Sequence, residues 1–352
     1  WASTGKPYIK WTAVAGASQY EVYRSGSKDG TYTLLGTTTA TNYTDSKANA
    51  GYTYYYKVKA ISEVKSAANS SLSAAVAITC RCARPVVKTD YWASTGKPYI
   101  KWTAVAGASK YYVYRSTSKD GTYEYIGYTT KTNYTDSKAV AGTTYYYKVK
   151  GISSVKSTAN SALSASVTIT CRCARPVVKP SYVGASGKPY IYWSAVDGAG
   201  KYYVYRSTSK NGTYEYIGYT AKTNYTDSKA VAGTTYYYKV KAISKVRSTA
   251  NSSLSAAVAV TCRCARPSVK ITTSNGSPRL TWNAVAGASQ YEVYRATSKN
   301  GSYTKMFTTS NLSYTNTSAK AGTTYYYKVK AVSKVKSTAN SAFSTVVSIR
   351  AR

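Results

Sequence analysis

The chain repeats itself four times, and this repetition limits its possible folds more than any other property of the sequence. The segment around Trp11 returns around Trp102, Trp193 and Trp282, at spacings of 91, 91 and 89 residues. A second segment, AGTTYYYKVK, occurs three times and once more as AGYTYYYKVK. Such a chain folds as a row of small similar domains, each in contact with its neighbours only. The copies are predicted to span residues 1–83, 84–174, 175–265 and 266–352.

Within one copy the apolar residues alternate with a period of two, which is typical of β-strands, and no helical stripe is present. Gly-containing turns separate the short runs, so the sequence predicts an all-β antiparallel sandwich. The first copy begins at Trp1, which aligns with Trp92, so it lacks the counterpart of Pro85–Tyr91 and we expect the natural protein to extend in both directions. In the second copy the predicted strands are Pro85–Lys88, Lys97–Thr103, Tyr111–Arg115, Tyr123–Tyr128, Asn133–Asp136, Thr144–Ile152 and Leu163–Thr170.

The Trp of the second strand, the Tyr-x-Val of the third and the Gly-Thr-Thr-Tyr-x-Tyr-x-Val of the sixth resemble a fibronectin type III domain. The longer pattern W-x-A-V-x-G-A-x-x-Y-x-V-Y-R is similar to tandem repeats in surface and secreted proteins of Gram-positive gut bacteria. The resemblance covers the whole chain. It implies four tandem seven-stranded, immunoglobulin-like β-sandwiches, the first of which lacks its N-terminal strand in this chain.

The resemblance also implies which side chains form the core. In the second copy it places Tyr111, Val113, Tyr147 and Val149 in the interior. It makes Tyr145 the tyrosine corner, whose hydroxyl bonds to backbone a few residues upstream. Over the four copies the implied core aromatics are Trp11, Trp102, Trp193, Trp282, Tyr54, Tyr145, Tyr236 and Tyr325.

Other tyrosines alternate with lysines on the opposite face of the same strands. Copies two and three contain 25 of the 41 tyrosines, and their Tyr112 and Tyr203 stand where Glu21 and Glu292 stand in the outer copies. Exposed tyrosine beside lysine combines aromatic area with a cation and is suited to binding a partner. The alternative is that tyrosine occurs here only because it favours β-strands. The candidate contact residues are Tyr112, Tyr114, Tyr146, Lys148, Lys150, Tyr203, Tyr205, Tyr237, Lys239 and Lys241.

The chain is strongly basic, with 48 Lys and Arg against 12 Asp and Glu and a net charge of +36. The successive copies contain 9, 13, 13 and 13 basic residues against 4, 4, 3 and 1 acidic ones, so positive charge rises toward the C-terminal copy. Such a surface attracts anionic polymers or acidic glycans, or it serves only to keep the array soluble. No sequence-specific nucleic-acid motif occurs. No apolar run approaches the roughly 20 residues of a membrane span.

All six cysteines lie in three Cys-Arg-Cys units at the junctions between copies. One sandwich separates consecutive units in an extended array, which is too far for a disulfide between units. Three alternatives stay open: free thiols, a strained bridge within a unit, or a cross-link to another chain. We expect a junction role for Cys80, Cys82, Cys171, Cys173, Cys262 and Cys264.

Catalytic machinery is sparse. The chain has no histidine, which is the commonest general base, and no Gly-rich phosphate loop or serine nucleophile elbow. Asp45, Asp136 and Asp227 recur beside Ser at strand ends, where turn hydrogen bonding is the expected role. We expect no enzymatic activity, no cofactor and no metal site.

These observations predict a non-catalytic, extracellular stalk, secreted or at a cell surface, whose basic Tyr/Lys faces adhere to anionic or glycan-bearing surfaces. One alternative is a structural subunit that assembles with copies of itself into a fibre or sheath, through exposed tyrosines and Cys-Arg-Cys junctions. Another is an accessory module beside a carbohydrate-active enzyme. Light scattering without added partner separates self-assembly from adhesion.

Overall fold

The computed structural model describes residues 3–92 and 94–352, and this part of the chain is all-β. It contains strands β1 to β27 and four single 3₁₀ turns, and no α-helix occurs in the described residues. Every strand pairing is antiparallel. The chain divides into two compact units, Trp1–Arg172 and Cys173–Arg352, and each unit holds two sandwiches.

In the first unit, the first sandwich pairs β1 with β4 in one sheet and orders the other as β3-β2-β5-β6. The second sandwich has sheets β11-β8-β7 and β10-β9-β12-β13. The strands of the first sandwich are β1 (Tyr8–Lys10), β2 (Ala17–Ser25), β3 (Thr33–Thr38), β4 (Asn42–Thr44), β5 (Thr53–Ser62) and β6 (Val76–Thr79). Those of the second are β7 (Val87–Tyr91), β8 (Pro98–Trp102), β9 (Ala108–Ser116), β10 (Glu124–Thr129), β11 (Asn133–Thr135), β12 (Thr144–Ser153) and β13 (Val167–Thr170).

In the second unit, the third sandwich has sheets β14-β15-β18 and β17-β16-β19-β20, and the fourth has β21-β22-β25 and β24-β23-β26-β27. The strands of the third are β14 (Lys179–Tyr182), β15 (Pro189–Tyr192), β16 (Ala199–Ser207), β17 (Glu215–Thr220), β18 (Asn224–Thr226), β19 (Thr235–Ser244) and β20 (Val258–Thr261). Those of the fourth are β21 (Val269–Ser274), β22 (Ser277–Trp282), β23 (Ala288–Ala296), β24 (Thr304–Thr309), β25 (Ser313–Thr315), β26 (Thr324–Ser333) and β27 (Val347–Arg350).

The expected fold is therefore confirmed: the chain forms four tandem fibronectin type III sandwiches, each a small sheet packed on a four-stranded one. The second, third and fourth have seven strands, and the first has six in the described residues. The boundaries between copies stay predictions. They fall in the intervals between β6 and β7, β13 and β14, and β20 and β21.

Alternation along the long central strands decides which side chains enter each core. On β9, Tyr111 and Val113 are buried, while Tyr112 and Tyr114 lie on the outer face. The rings of Trp102 and Tyr111 meet edge to face, with centroids 5.2 Å apart. Buried rings of this size contribute roughly 1.5–3 kcal/mol each. Trp11 and Tyr54, in the six-stranded first sandwich, are only half-buried.

The implied tyrosine corner is present in every sandwich. The hydroxyl of Tyr145 accepts a 3.1 Å hydrogen bond from the backbone N–H of Val140, five residues upstream. Tyr54, Tyr236 and Tyr325 accept the equivalent bonds at 3.1, 3.2 and 3.1 Å. Each bond ties the loop before the sixth strand to the strand itself.

In each of the first three sandwiches a buried aspartate bonds to a tyrosine and an arginine. These contacts are additional to the turn hydrogen bond expected from the sequence. Oδ1 of Asp136 accepts the N–H of Lys138, as a turn aspartate does. Oδ2 of the same residue accepts from the Tyr147 hydroxyl at 2.7 Å and from the Arg115 guanidinium at 2.9 Å. The two other copies of this arrangement are Asp45 with Tyr56 and Arg24, and Asp227 with Tyr238 and Arg206.

A β-bulge in β10 changes which residues of that strand share a face. Tyr125 pairs with Tyr114, and Tyr128 pairs with Tyr112, because one extra residue, Ile126, is inserted between the pairs. Gly127 follows at φ +144°, a conformation that favours glycine, and a Cβ there would lie 2.8 Å from the Tyr134 hydroxyl oxygen. Two tyrosines three residues apart therefore project from the same side of the sheet.

Candidate binding face

The outer face of the four-stranded sheet in the second sandwich carries two cross-strand rows of one lysine and two tyrosines. The first row is Lys150, Tyr112 and Tyr128, and the second is Lys148, Tyr114 and Tyr125. Neighbouring strands lie roughly 4.8 Å apart, so each row brings a cation beside two adjacent rings. We call these six residues together with Lys110 the lysine–tyrosine face.

Three of the four tyrosine rings of this face meet edge to face, with Tyr125 in contact with both Tyr112 and Tyr114. The Tyr125 centroid lies 5.2 Å from that of Tyr112 and 5.9 Å from that of Tyr114. Such pairs contribute about 0.5–1.5 kcal/mol beyond their burial, so the cluster is preorganised. Burial, followed by the neighbouring tyrosines, raises the pKa of Tyr114 above its ordinary value, so its hydroxyl stays protonated to a higher pH than that of an exposed tyrosine.

Lysine ammonium groups lie over several of these rings. Nζ of Lys110 is 5.4 Å from the ring centroids of both Tyr112 and Tyr128, and Nζ of Lys148 is 4.0 Å from the centroid of Tyr123. These are cation–π distances, worth about 0.5–1 kcal/mol at exposed sites. A ring accepts no full hydrogen bond, so a cation–π contact does not use up the hydrogen-bond donors of the ammonium group.

The edge of the face is the part open to solvent. Tyr125 is 51% exposed and Tyr128 is 61% exposed, whereas Tyr112, Tyr114 and the lysines of the face are half-buried. The side chains that form the face include no carboxylate. The result is a partly exposed aromatic surface bordered by positive charge.

The third sandwich repeats this face almost unchanged. Tyr216 lies 5.2 Å from Tyr203 and 5.8 Å from Tyr205, and Lys201 lies 5.4 and 5.2 Å from the rings of Tyr203 and Tyr219. The exposed fractions of Tyr216 and Tyr219 are 51% and 63%. The face of the third sandwich consists of Lys201, Tyr203, Tyr205, Tyr216, Tyr219, Lys239 and Lys241.

In the first and fourth sandwiches a glutamate occupies the centre of this surface and is engaged by its own neighbours. Glu21 accepts a 2.6 Å hydrogen bond from the Tyr23 hydroxyl. Glu292 accepts one of 2.9 Å from Tyr294 and pairs with Lys305 at 3.4 Å. The flanking positions differ as well. Both outer sandwiches have Gln at the position of Lys110 and Thr at that of Tyr128, and the position of Tyr125 is Leu in the first and Lys in the fourth.

The structure places all ten residues predicted from the sequence on these outer faces, five in each of the two inner sandwiches. Tyr146 and Tyr237 lie half-buried at one end, opposite Ser116 and Ser207. Sequence reasoning missed Lys110 and Lys201, and its ten contact residues did not include Tyr125, Tyr128, Tyr216 and Tyr219. For the two lysines a signal was present. The outer copies have Gln19 and Gln290 where the inner copies have Lys110 and Lys201. This difference accompanies the change from Glu to Tyr two residues later, and it could have identified the two lysines.

The six cysteines are buried thiols, and none of them forms a disulfide. Cys82 and Cys171 both belong to the core cluster of the second sandwich, and the Cys82 N–H donates to Ala159 O at 2.8 Å. Cys264 does the same in the fourth sandwich through Ala339. Burial raises the pKa of Cys82 and Cys264, which favours the protonated thiol. A junction cross-link stays a prediction, and a sulfur that is 1% exposed is poorly placed to make one.

Two negative findings apply to residues 3–92 and 94–352. No group of three or more His, Cys, Asp or Glu residues there is arranged to hold a metal ion. No helix in the same residues is long and apolar enough to cross a membrane.

Comparisons with known proteins agree with a modular chain. No protein-family model matches it. It is 30% identical over 263 residues to exoglucanase B of Cellulomonas fimi, covering 66% of this chain and 22% of the relative. It is 48% identical over 75 residues to a poly(3-hydroxybutyrate) depolymerase of Ralstonia pickettii, covering 21% of this chain and 14% of the relative. The chain thus spans less than a quarter of the length of either relative.

Similar solved structures contain fibronectin type III domains. The FN1–FN3 domains of chicken CNTN1 are 16% identical, with a TM-score of 0.24, covering 76% of this chain and 98% of that one. An Fn3-like protein from Clostridium thermocellum is 32% identical, with a TM-score of 0.23, covering 25% of this chain and 90% of that one. Strand order and register give each sandwich the fibronectin type III fold, so the chain is a tandem array of sandwiches with that fold.

Proposed function

We propose that this chain is a non-catalytic extracellular module that contacts anionic or glycan-bearing polymers through the lysine–tyrosine faces of its second and third sandwiches. The observation that carries the proposal is the pair of equivalent faces, each combining exposed tyrosine rings with three lysines and no carboxylate. Rigid aromatic area and unneutralised cations are the components that interfaces with polar polymers use.

The charge of the whole chain supports the same partner class. A net charge of +36 attracts polyanions over a distance and speeds their encounter with the faces. The recurrent aspartates Asp45, Asp136 and Asp227 are buried and paired with arginine, so they are not placed to form ion pairs with the surface lysines.

The relatives support an accessory role. Both are named for enzymes that act on polymers, and the chain matches only a minor part of each. We infer that the array is a non-catalytic segment of a polymer-acting or surface-attached protein, of the kind found in bacteria. It spaces such a protein from its target and helps to hold it there.

Retention of the intact chain on immobilised anionic and neutral polysaccharides tests this function. We expect retention on the anionic support that weakens steadily with salt, because released counterions drive part of the binding. Light scattering of the same sample measures its mass. Absence of retention on every polymer would contradict the proposal, and growth into large particles without a partner would favour the self-assembling subunit instead.

A further inference from the structure

We propose that the two lysine–tyrosine faces are two copies of one binding site for an acidic polysaccharide, a chain of pyranose rings that carry carboxylates. The inference rests on the proposed function and narrows it to a ligand, to two of the four sandwiches and to named residues. It follows from the geometry of the rows and from the way the four sandwiches differ.

The aromatic part of the face suits the apolar side of a sugar ring. Tyr125 and Tyr128 are more than half exposed. Tyr125 makes edge contacts with Tyr112 and Tyr114, and the Tyr128 ring lies 5.4 Å from Nζ of Lys110. A sugar ring presents C–H groups that pack on such rings, while the tyrosine hydroxyls bond to its hydroxyl groups. Little conformational entropy is lost on binding because the cluster is already ordered.

The cationic part suits carboxylates. Lys148 and Lys150 end the two rows, roughly 7 Å apart along β12, and Lys110 lies at the end of β9 beside both rings of the first row. An ammonium that faces a carboxylate forms a charge-assisted hydrogen bond. The face therefore offers several cations around one aromatic surface, which matches a polymer whose rings each bear a charge.

The outer sandwiches show that these features change as a set. Where Tyr112 is replaced by Glu21, Lys110 is replaced by Gln19 and Tyr128 by Thr37. The fold does not require these lysine and tyrosine residues, because the first and fourth sandwiches form the same sheet without them. A simple polyanion such as polyphosphate would use the lysines and leave the exposed tyrosines without a role.

Two sites on one chain favour a long ligand. A long polymer contains many segments that can each occupy a face, so each polymer chain has more ways to bind than a short fragment has. Short fragments of the same polysaccharide should bind much more weakly per chain than the long form.

The test compares sodium polygalacturonate, inorganic polyphosphate and neutral dextran as probes for the full chain at about 0.15 M salt. The tyrosine variant is Y125L/Y128T/Y216L/Y219T, which leaves the charge unchanged and uses residues that the first sandwich has at these positions, Leu34 and Thr37. The lysine variant is K110Q/K201Q, which copies Gln19 and Gln290. The control is K131A/K222A, which removes two exposed lysines outside the faces.

We expect polygalacturonate to bind the wild-type chain and the control alike. The tyrosine variant should lose at least about tenfold in affinity for it, with polyphosphate binding almost unchanged. The lysine variant should bind both polyanions more weakly and show a smaller salt dependence. Circular dichroism confirms that each variant is folded.

Unchanged polygalacturonate affinity in the folded tyrosine variant would overturn the inference while leaving the broader proposed function intact. Equal affinity for dextran and polygalacturonate would also overturn it, because the carboxylates would then play no part. Failure of the wild-type chain to bind any of the three polymers would remove both the inference and the proposed function.

Discussion

The hydroxyl of Tyr147 donates a 2.7 Å hydrogen bond to Oδ2 of Asp136, a carboxylate that is only 3% exposed in the core of the second sandwich. Arg115 reaches the same oxygen at 2.9 Å. In the fourth sandwich Asn316 takes this position, and its Nδ2 donates to the hydroxyl of Tyr327 at 2.7 Å. At this buried position an aspartate accepts a hydrogen bond from the tyrosine in the second sandwich, and an asparagine donates one to it in the fourth.

Replacement of Asp136 by alanine should destabilise the second sandwich by about 2–4 kcal/mol, because a buried tyrosine hydroxyl and a guanidinium lose their acceptor. D136N should cost less, since the fourth sandwich tolerates asparagine there. Calorimetry of the full chain measures both, as a transition displaced to lower temperature. Equal melting of D136A and wild type would contradict the assigned role of this carboxylate.

Stability should fall at alkaline pH because of the buried tyrosines. Burial, then the hydrogen bond to Asp136, raises the pKa of Tyr147, and the same causes raise the pKa of Tyr56 and Tyr238. The folded state therefore retains protons that the unfolded state releases above about pH 10. This contribution to stability is complete below pH 10 and is lost as the pH rises further.

Melting temperatures measured from about pH 8 to pH 11 check this prediction, with absorbance near 295 nm as the reporter of tyrosinate. The variant Y147F serves as the control, because a phenylalanine has no proton to lose. Its second sandwich should show a smaller alkaline decrease than that of the wild type. Parallel decreases in the two proteins would show that other groups cause the alkaline loss.

Thiol reactivity should report unfolding of the sandwiches. The six cysteines are not in disulfides and are at most 1% exposed, and burial raises the pKa of Cys80, Cys173 and Cys262. A thiol reagent should therefore react slowly with the native protein and rapidly with six groups after denaturation without reductant. Fewer than six groups in denaturant would instead reveal disulfides and favour the predicted junction cross-link.

We expect that the lysine–tyrosine face can be built into the first sandwich by substitution. The substitutions Q19K/E21Y/L34Y/T37Y recreate both rows, because Tyr23, Lys57 and Lys59 already occupy the remaining positions. We expect titration with a short oligogalacturonide to show three sites in place of two. The control Q19K/L34Y/T37Y keeps Glu21 in the centre, where its charge repels the ligand, and should leave two sites.

Much of the architecture could be predicted from the sequence. The period-two alternation separated Tyr111 and Val113 from Tyr112 and Tyr114 correctly, because successive side chains of a strand point to opposite faces. The predicted strands of the second copy differ from the observed ones mainly at their ends. The first began at Pro85 in the prediction and begins at Val87 in the structure, and the last began at Leu163 and begins at Val167.

The sequence could not predict that Asp136 bonds to Arg115 and Tyr147 in addition to the backbone of its own turn. Turn bonding by its Oδ1 follows from a local pattern of neighbouring residues. Its contacts with Arg115 and Tyr147 join positions 21 and 11 residues away, and only packing brings these together.

The repeat and its alternation determine by themselves that the chain folds into small β-sandwiches and that tyrosine and lysine share their outer walls, since both depend on local spacing. Tertiary structure alone decides that Tyr125 and Tyr128 lie on one side. Strict alternation assigns residues three apart to opposite faces, and a bulge opposite β9 reverses that assignment. A bulge depends on pairing with a partner strand, and that pairing exists only once the sheet has formed.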